Sequence, residues 1–321
     1  MNIEIKSGSQ APLRMAQTVF RSQRFHKLQL RHFFLFDALP LLTTVAAFAL
    51  IPWLPPHPLD LAMFGCLWLV TGLGLTVGFH RYFAHGAFSA ERGVSLGLLI
   101  AGSMAARGPM ISWVAMHRRH HERSDRAGDL HSPQLNGSSF RGKVHGLLHA
   151  HLTWMLQHDY PNVMHYVPDL MARKDVVRVN RLYYYWVVLG LALPTFIGAV
   201  ATLSLTGALT GFLWGGAVRV FAVEHAMSAV NSLCHAFGSR PFKTRDDHSA
   251  NIAILAPVTW GEAWHNNHHA FPNSAAFGLS WYQLDPGFCC IWILEKLGLV
   301  SEVKRPSPRL ILQRRATADS I

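Results

Sequence analysis

Four apolar stretches, each close to the twenty or so residues a helix needs to cross the hydrocarbon of a bilayer, constrain this chain more than anything else in it. They fall at about residues 33–54, 60–80, 183–205 and 209–232. Backbone amides surrounded by lipid must find partners within their own segment, so runs of this length are read as transmembrane helices. Composition agrees, since half of the 321 residues are hydrophobic and 15% are charged, against roughly 25% charged in soluble domains. The third run opens on Tyr183-Tyr184-Tyr185-Trp186, an interfacial aromatic belt.

The runs pair as hairpins. The links from Trp53 to Asp60 and from Leu205 to Thr210 contain no Lys or Arg. Residues 1–32 carry Lys6, Arg14, Arg21, Arg24, Lys27 and Arg31, and residues 81–181 and 236–321 are basic throughout. The positive-inside rule therefore puts both termini on the cytoplasmic side of a cytoplasmic (inner) membrane. The opening stretch lacks the apolar core of a signal peptide, so the first span is expected to direct insertion. The expected plan is a basic cytosolic segment over 1–32, an integral-membrane domain over 33–285, and an amphipathic helix with a basic tail over 286–321. Two interrupted apolar runs, 94–112 and 287–299, suit surface helices that pack on the membrane or on a cytosolic cap. The net charge of +11 follows from this bias and from anionic lipid headgroups. No nucleic-acid module is visible, and nucleic acid is excluded as a partner. Cys66, Cys234, Cys289 and Cys290 lie in apolar segments without a C-x-x-C pair and read as small hydrophobes.

Histidines gather where the apolar runs stop. Three boxes hold His80 and His85, then His117, His120 and His121, then His265, His268 and His269. On an α-helix positions i, i+3 and i+4 share a face, which suits the second and third boxes. The adjacent pair in each diverges enough to serve neighbouring metals. His80 and His85 are five apart, about 140° on a regular helix, and need a helix end or distortion to reach one site. The end of the fourth run adds Asn231 and His235 at i, i+4. Nine imidazoles and an amide at one membrane edge exceed a structural zinc site, which takes four ligands and often thiolates. They fit two ions with positions left open. Iron for O2 chemistry is the natural inference, with zinc left as an alternative. His26, His32, His57, His145, His149, His158, His165 and His248 show no such spacing.

In their order and spacing the boxes, with paired spans between them, resemble the membrane-bound fatty-acyl desaturases of the stearoyl-CoA (Δ9) type. Gly72 to His85, Trp113 ahead of His117, Ser124-Asp125, Asp129-Leu-His131-Ser-Pro133 and Gly261 to Pro272 extend the likeness, which covers roughly residues 35–285. The Asn-Asn-His-His-Ala-Phe-Pro form has a bacterial look. The resemblance implies an all-α, multi-pass membrane enzyme with four transmembrane helices and a cytosolic helical cap around a di-iron site. Such an enzyme uses O2 and two electrons to place a cis double bond in a saturated acyl chain, most often at Δ9. It implies His80, His85, His117, His120, His121, His235, His265, His268 and His269 as iron ligands, with Asn231 acting through water. Asp125, Asp129, His131 and Glu262 are the expected partners of the liganding rings.

Trp113 is a candidate wall of the acyl tunnel and Trp68 a candidate for its closed end. Arg219, inside the fourth run beside Glu224 and His225, is expected to brace the helix carrying Asn231 and His235. Where animal acyl-CoA desaturases carry an Arg-Asp pair before the second box, this chain has Ala115 and Met116. The carrier is therefore open among CoA, acyl-carrier protein and membrane lipid. No haem domain is fused to the chain, so electrons are expected from a separate ferredoxin or cytochrome b5-like protein. The competing readings are a hydroxylase or other lipid oxygenase on the same scaffold, and a metal carrier without catalysis. A carrier should line a path within the spans rather than cluster beyond them.

Overall fold

The computed structural model describes residues 18–244 and 248–315. Lys6 and Arg14 of the basic opening, and the last residues of the tail, lie outside the described residues. The fold is helical, with two short antiparallel pairings, Val19–Phe20 with Tyr160–Pro161 and Ser89–Ala90 with Val300–Ser301.

Four helices are long and apolar enough to cross a membrane: Gln23–Ala49, Pro58–Ala84, Tyr183–Thr202 and Leu205–Leu233. Their ends follow local capping chemistry. The first begins at Gln23 rather than near residue 33, because Ser22 accepts the Phe25 amide and extends the helix into the basic segment. His57 and Asp60 form a reciprocal cap that starts the second span at Pro58 (His57 N to Asp60 Oδ2, 2.8 Å). The link between the last two spans shrinks to Leu203, in the left-handed region, and Ser204, whose hydroxyl accepts the Gly207 amide at 3.0 Å.

The spans differ in role. Of the apolar windows of the first and third, 22% is buried, against 67% for the fourth, which is the central element. Phe48, Val45, Phe196 and Val200 are exposed and form a lipid-facing surface. Arg219 is fully buried and donates to three carbonyls: Met104 at 2.7 Å, Gly190 at 2.9 Å and Gly215 at 3.3 Å. It ties the fourth span to the third and to the loop before Met110. Glu224 is held by Arg107, which also reaches the Ser228 hydroxyl at 3.2 Å.

The apolar run at 94–112 is two helices: Arg92–Ser103, then a break at Arg107–Pro109, then Met110–Arg123. The first packs on the end of the second span, and the second carries the middle histidine box. Leu75, Phe79, Leu99, Met110, Val114, Val223, Met227 and Trp260 form the largest core cluster. It lies between the spans and the cap, so the histidines rest on a packed apolar floor. The helix Pro286–Lys296 buries Ile291 against the tail of the second span.

Candidate metal centre

The tail of the second span, Gly74–Ala84, is π-helical. Its hydrogen bonds run from i to i+5, and the His85 amide donates to the His80 carbonyl at 3.2 Å. Residues five apart therefore stack. This is the distortion that the His80–His85 spacing requires, and the two rings lie 5.0 Å apart.

The second box sits on the last turns of Met110–Arg123, and the third forms the short helix His265–Ala270. Asn251 holds that short helix in place: its side-chain oxygen accepts the Asn266 and Asn267 amides at 2.9 and 3.2 Å. Asn267 in turn donates to the Phe277 carbonyl at 2.7 Å. The two asparagines between the histidines thus fasten the helix, and the rings point the other way.

The nine histidines separate into two groups. His80, His85, His117, His121 and His268 form one, and His120, His235, His265 and His269 form the other; within each, the ligand nitrogens lie within 4.8 Å of one another. The division follows helix geometry. His117 and His121 face the first group while His120 faces the second, and His265 and His269 face the second while His268 crosses to the first. Each helix therefore contributes to both groups. The Nε2 atoms meet at close range: His85 to His117 at 2.8 Å, His80 to His268 at 3.0 Å, His121 to His268 at 3.0 Å and His235 to His265 at 2.9 Å.

Three carboxylates set the rings from outside. Glu262 meets His80 Nδ1, Asp129 meets His120 Nδ1 at 2.9 Å and Asp125 meets His235 Nδ1 at 2.8 Å. An imidazole bonded to a carboxylate at Nδ1 carries its proton there and presents a lone pair at Nε2. Lone pairs facing one another at about 3 Å repel unless a cation stands between them. Nitrogens about 2.1 Å from one ion and at right angles across it stand about 3 Å apart, so the donor set fits metal ions. The electrostatics agree. Burial, reinforced by neighbouring His269, Arg118 and His120, pushes His85 down to about 3. Burial first and neighbouring rings second also hold His117, His121, His265 and His268 well below the usual histidine range. They are neutral at pH 7, the form that binds metal. Burial works to raise the Asp129 carboxyl, but its electrostatic interaction and hydrogen bond with His120 outweigh it and hold Asp129 well below the usual range. Glu262 is pushed up to about 8 by burial, against the pull of Arg81.

Residues 58–288 match the fatty acid desaturase family. The chain belongs to that family. It is 45% identical over 97% of both chains to a hex-5-enoyl-[acyl-carrier protein] acetylenase of Moorena producens. It is 35% identical to Delta-9 acyl-lipid desaturase 1 of Arabidopsis thaliana, over 75% of this chain and 74% of that one. It is 32% identical to an sn-1 stearoyl-lipid 9-desaturase of Anabaena variabilis, over 74% of this chain and 80% of the other. The chain is thus a membrane oxidoreductase of fatty acyl chains.

Around this desaturase centre most sequence-derived residues fall together, and some do not. His131 lies on His120, ring centroids 4.3 Å apart, and shares Asp129 with it. Asn231 is half-buried, one helical turn before His235. Trp113 stacks on His117 at 5.1 Å and 10°. It also lines an apolar cavity of about 460 Å³ whose walls include Phe25, Met116, Trp154 and Tyr184, with Arg107 and Glu224 also on the lining. Trp68 does not line that cavity. It packs on Trp260, ring centroids 4.5 Å apart, in the core. Arg219 reaches carbonyls and no histidine ring, so it holds the helix rather than a ligand.

Sequence reasoning missed Arg81. Fully buried beside His80, it pairs with Asp285 at 2.9 Å, lies over the Phe277 ring at 3.9 Å and donates to the Ala275 carbonyl at 3.1 Å. Gly261 has a φ of +96°, and a Cβ there would lie 2.2 Å from Asp285. A charged residue next to a box histidine, and a glycine before Glu262, were the available signals.

Proposed function

We propose that the chain is an iron-dependent desaturase that removes two hydrogens from an acyl chain held on a carrier, with O2 and two electrons as co-substrates. The observation that supports this reading best is the pairing of two imidazole groups on shared helices, with His117 stacked on Trp113, which itself lines an apolar cavity. Imidazole suits iron, and five nitrogens in one group exceed the four ligands usual for zinc. His80, His85, His117, His121 and His268 would hold one ion. His120, His235, His265 and His269 would hold the second, with Asn231 acting through water. Bound iron supplies the O2-derived oxidant that an unactivated C–H bond requires.

The chain's own residues do the rest. Asp129 and Asp125 keep protons on the outer nitrogens of His120 and His235, and Glu262 anchors the outer nitrogen of His80. Trp113 and Met116 form an apolar wall that aligns a chain and keeps water from the rings. Acyl-carrier protein is the favoured carrier, because the relative named for it matches along almost its whole length, whereas lipid-linked relatives match over about three quarters. A Δ9 double bond in a saturated chain is the leading product. The same relative supports a second reading, removal of two hydrogens from an existing double bond. The boxes and both termini are assigned to the cytoplasmic side, where carrier and electron donor are present.

The test is lipid and acyl-carrier analysis of a host expressing the chain beside His120→Ala, with iron and a ferredoxin supply. A new double or triple bond only with the wild-type chain supports the reading; hydroxy-acids, or no change, overturn it.

A further inference from the structure

Two charges stand on the wall of the apolar cavity. Arg107 and Glu224 line it together with Trp113 and Met116, and both are buried. Arg107 donates to the Glu224 carboxylate, to the Glu224 carbonyl at 3.0 Å and to the Ser228 hydroxyl at 3.2 Å. Ser228 in turn donates to the Glu224 carboxylate at 3.2 Å. Glu224 belongs to the fourth span, where an ionisable group is costly and marks a function or a fixed pair. Asp37 of the first span, buried and not on the cavity lining, faces both members of the pair. Polar groups, not apolar space, therefore continue on the far side of the pair. Elsewhere on the lining Phe20, Leu28 and Tyr184 are exposed and form a mouth.

The segment carrying Arg107 is fastened on both sides. Arg219 of the fourth span donates to the Met104 carbonyl at 2.7 Å, and the Tyr183 hydroxyl of the third accepts the Gly108 amide at 2.9 Å. The pair is thus a fixed part of the wall. An acyl tail is driven into the cavity because its methylenes leave water for apolar side chains. It gains nothing against a guanidinium bonded to a carboxylate. To pass, it would have to part them and leave a charge unpaired at low dielectric. The tail stops there. Trp113, on the first turn of the helix that begins at Met110, stacks on His117 and links this same wall to the metal centre. Only Gly108, Pro109 and Ser112 stand on the lining between Arg107 and Trp113.

We propose that the Arg107–Glu224 pair is the closed end of the acyl cavity and selects short to medium acyl chains that react near their methyl end. The inference rests on the desaturase reading above and names its substrate class. With the stop and the link to the metals on one short stretch of wall, few carbons extend beyond the reacting methylenes. A Δ9 bond meets this condition in a decanoyl group, where it is terminal. In a palmitoyl or stearoyl group it does not, because the remaining tail would have to cross the pair.

The test uses the full-length iron-loaded enzyme in liposomes with reduced ferredoxin. Hexanoyl, decanoyl and palmitoyl groups are each offered on acyl-carrier protein and on CoA, and products are identified by chain length and bond position. The wild-type enzyme should act on the shorter groups, near the methyl end, and leave palmitoyl unchanged. Arg107→Met/Glu224→Leu removes both charges together, so that neither is left unpaired. It should raise the ratio of palmitoyl to decanoyl turnover at least about ten-fold. Ser112→Leu fills the cavity without touching the pair and should lose decanoyl before hexanoyl. Iron content at the wild-type level shows that each variant is folded; if the double variant is not, the wild-type profile and Ser112→Leu decide. Wild-type turnover of palmitoyl equal to that of decanoyl would overturn the proposal. So would an equal fall for every chain length in the folded double variant, or in Ser112→Leu. Wild-type enzyme that alters no chain on either carrier would sink the desaturase reading itself, and so is told apart from an error about the closed end.

Discussion

At the scale of single residues, the centre is decided as much by its carboxylates as by its histidines. Asp125 and Asp129 are buried against the outer nitrogens of His235 and His120, and Ser132 donates to Asp125 at 2.6 Å. An amide of the same shape could offer the ring its NH2 group instead of an oxygen, turning the proton toward the site. Asp129→Asn and Asp125→Asn should each lower metal affinity about 10–100-fold with the helix content unchanged. Metal retained per chain against a graded chelator reads this directly, and full retention in both variants would refute the orienting role. These carboxylates were legible in the sequence because they lie in the resembling stretches, as was Glu262. Arg81 was not, because its partners Asp285 and Phe277 are some 200 positions away and only the fold brings them together. His158 gives a residue-level test away from the metals. Burial pushes it down to about 4 from an ordinary 6.5, with Arg119 adding to the effect. A histidine kept neutral by folding costs stability where the unfolded chain takes up a proton and the folded one does not. That penalty is absent above pH 6.5, grows as the pH falls toward 4, and is constant below. His158→Gln should therefore lose less thermal stability than wild type between pH 6.5 and 4, and equal slopes of Tm against pH would contradict this.

The elements show where spacing rules hold and where they fail. Both H-x-x-H-H boxes behave as the α-helical arc predicts, including the divergence of the adjacent pair toward different groups. The first box fails that rule, since its helix is π-helical over Gly74–Ala84. No propensity scale marks such a segment; it persists because the surrounding packing over-determines it. Glycines permit that packing. A Cβ on Gly72 would stand 2.0 Å from the Trp260 ring, which in turn lies on Trp68. Trp68, a candidate tunnel end from the sequence, is half-buried in the fold and packs on the core through Trp260. Gly72→Ala should overpack this contact and cost about 1–3 kcal/mol, seen as a lower Tm in detergent. Trp260→Phe in the same chain should recover part of the loss, and failure to recover any would place the strain elsewhere.

Across the whole molecule, the four spans were legible because hydrocarbon thickness leaves a plain mark on sequence; the third and fourth pack as a hairpin, whereas the first packs mainly on the fourth and not on the second that follows it. Helix ends were less so: Ser22, His57 and Ser204 set them by hydrogen bonds that an apolar window does not register. The charge asymmetry of the sequence is the ground on which we propose a cytoplasmic placement of the centre. The link at Leu203–Ser204 lies at one end of the bundle, and the histidine groups with Lys304 and Arg314 belong to segments at the other ends of the spans. A cytoplasmic site is expected to be closed to reagents outside the cell, whereas Ser204 is not. In a background with Cys66 and Cys289, the two exposed thiols, replaced by Ala, Ser204→Cys should react with a membrane-impermeant maleimide added to spheroplasts. Ser307→Cys, ahead of the last helix, should react only after lysis. The reverse pattern would put the centre on the outer face, away from any cytosolic acyl carrier or electron donor, and both assignments of partner would fall with it.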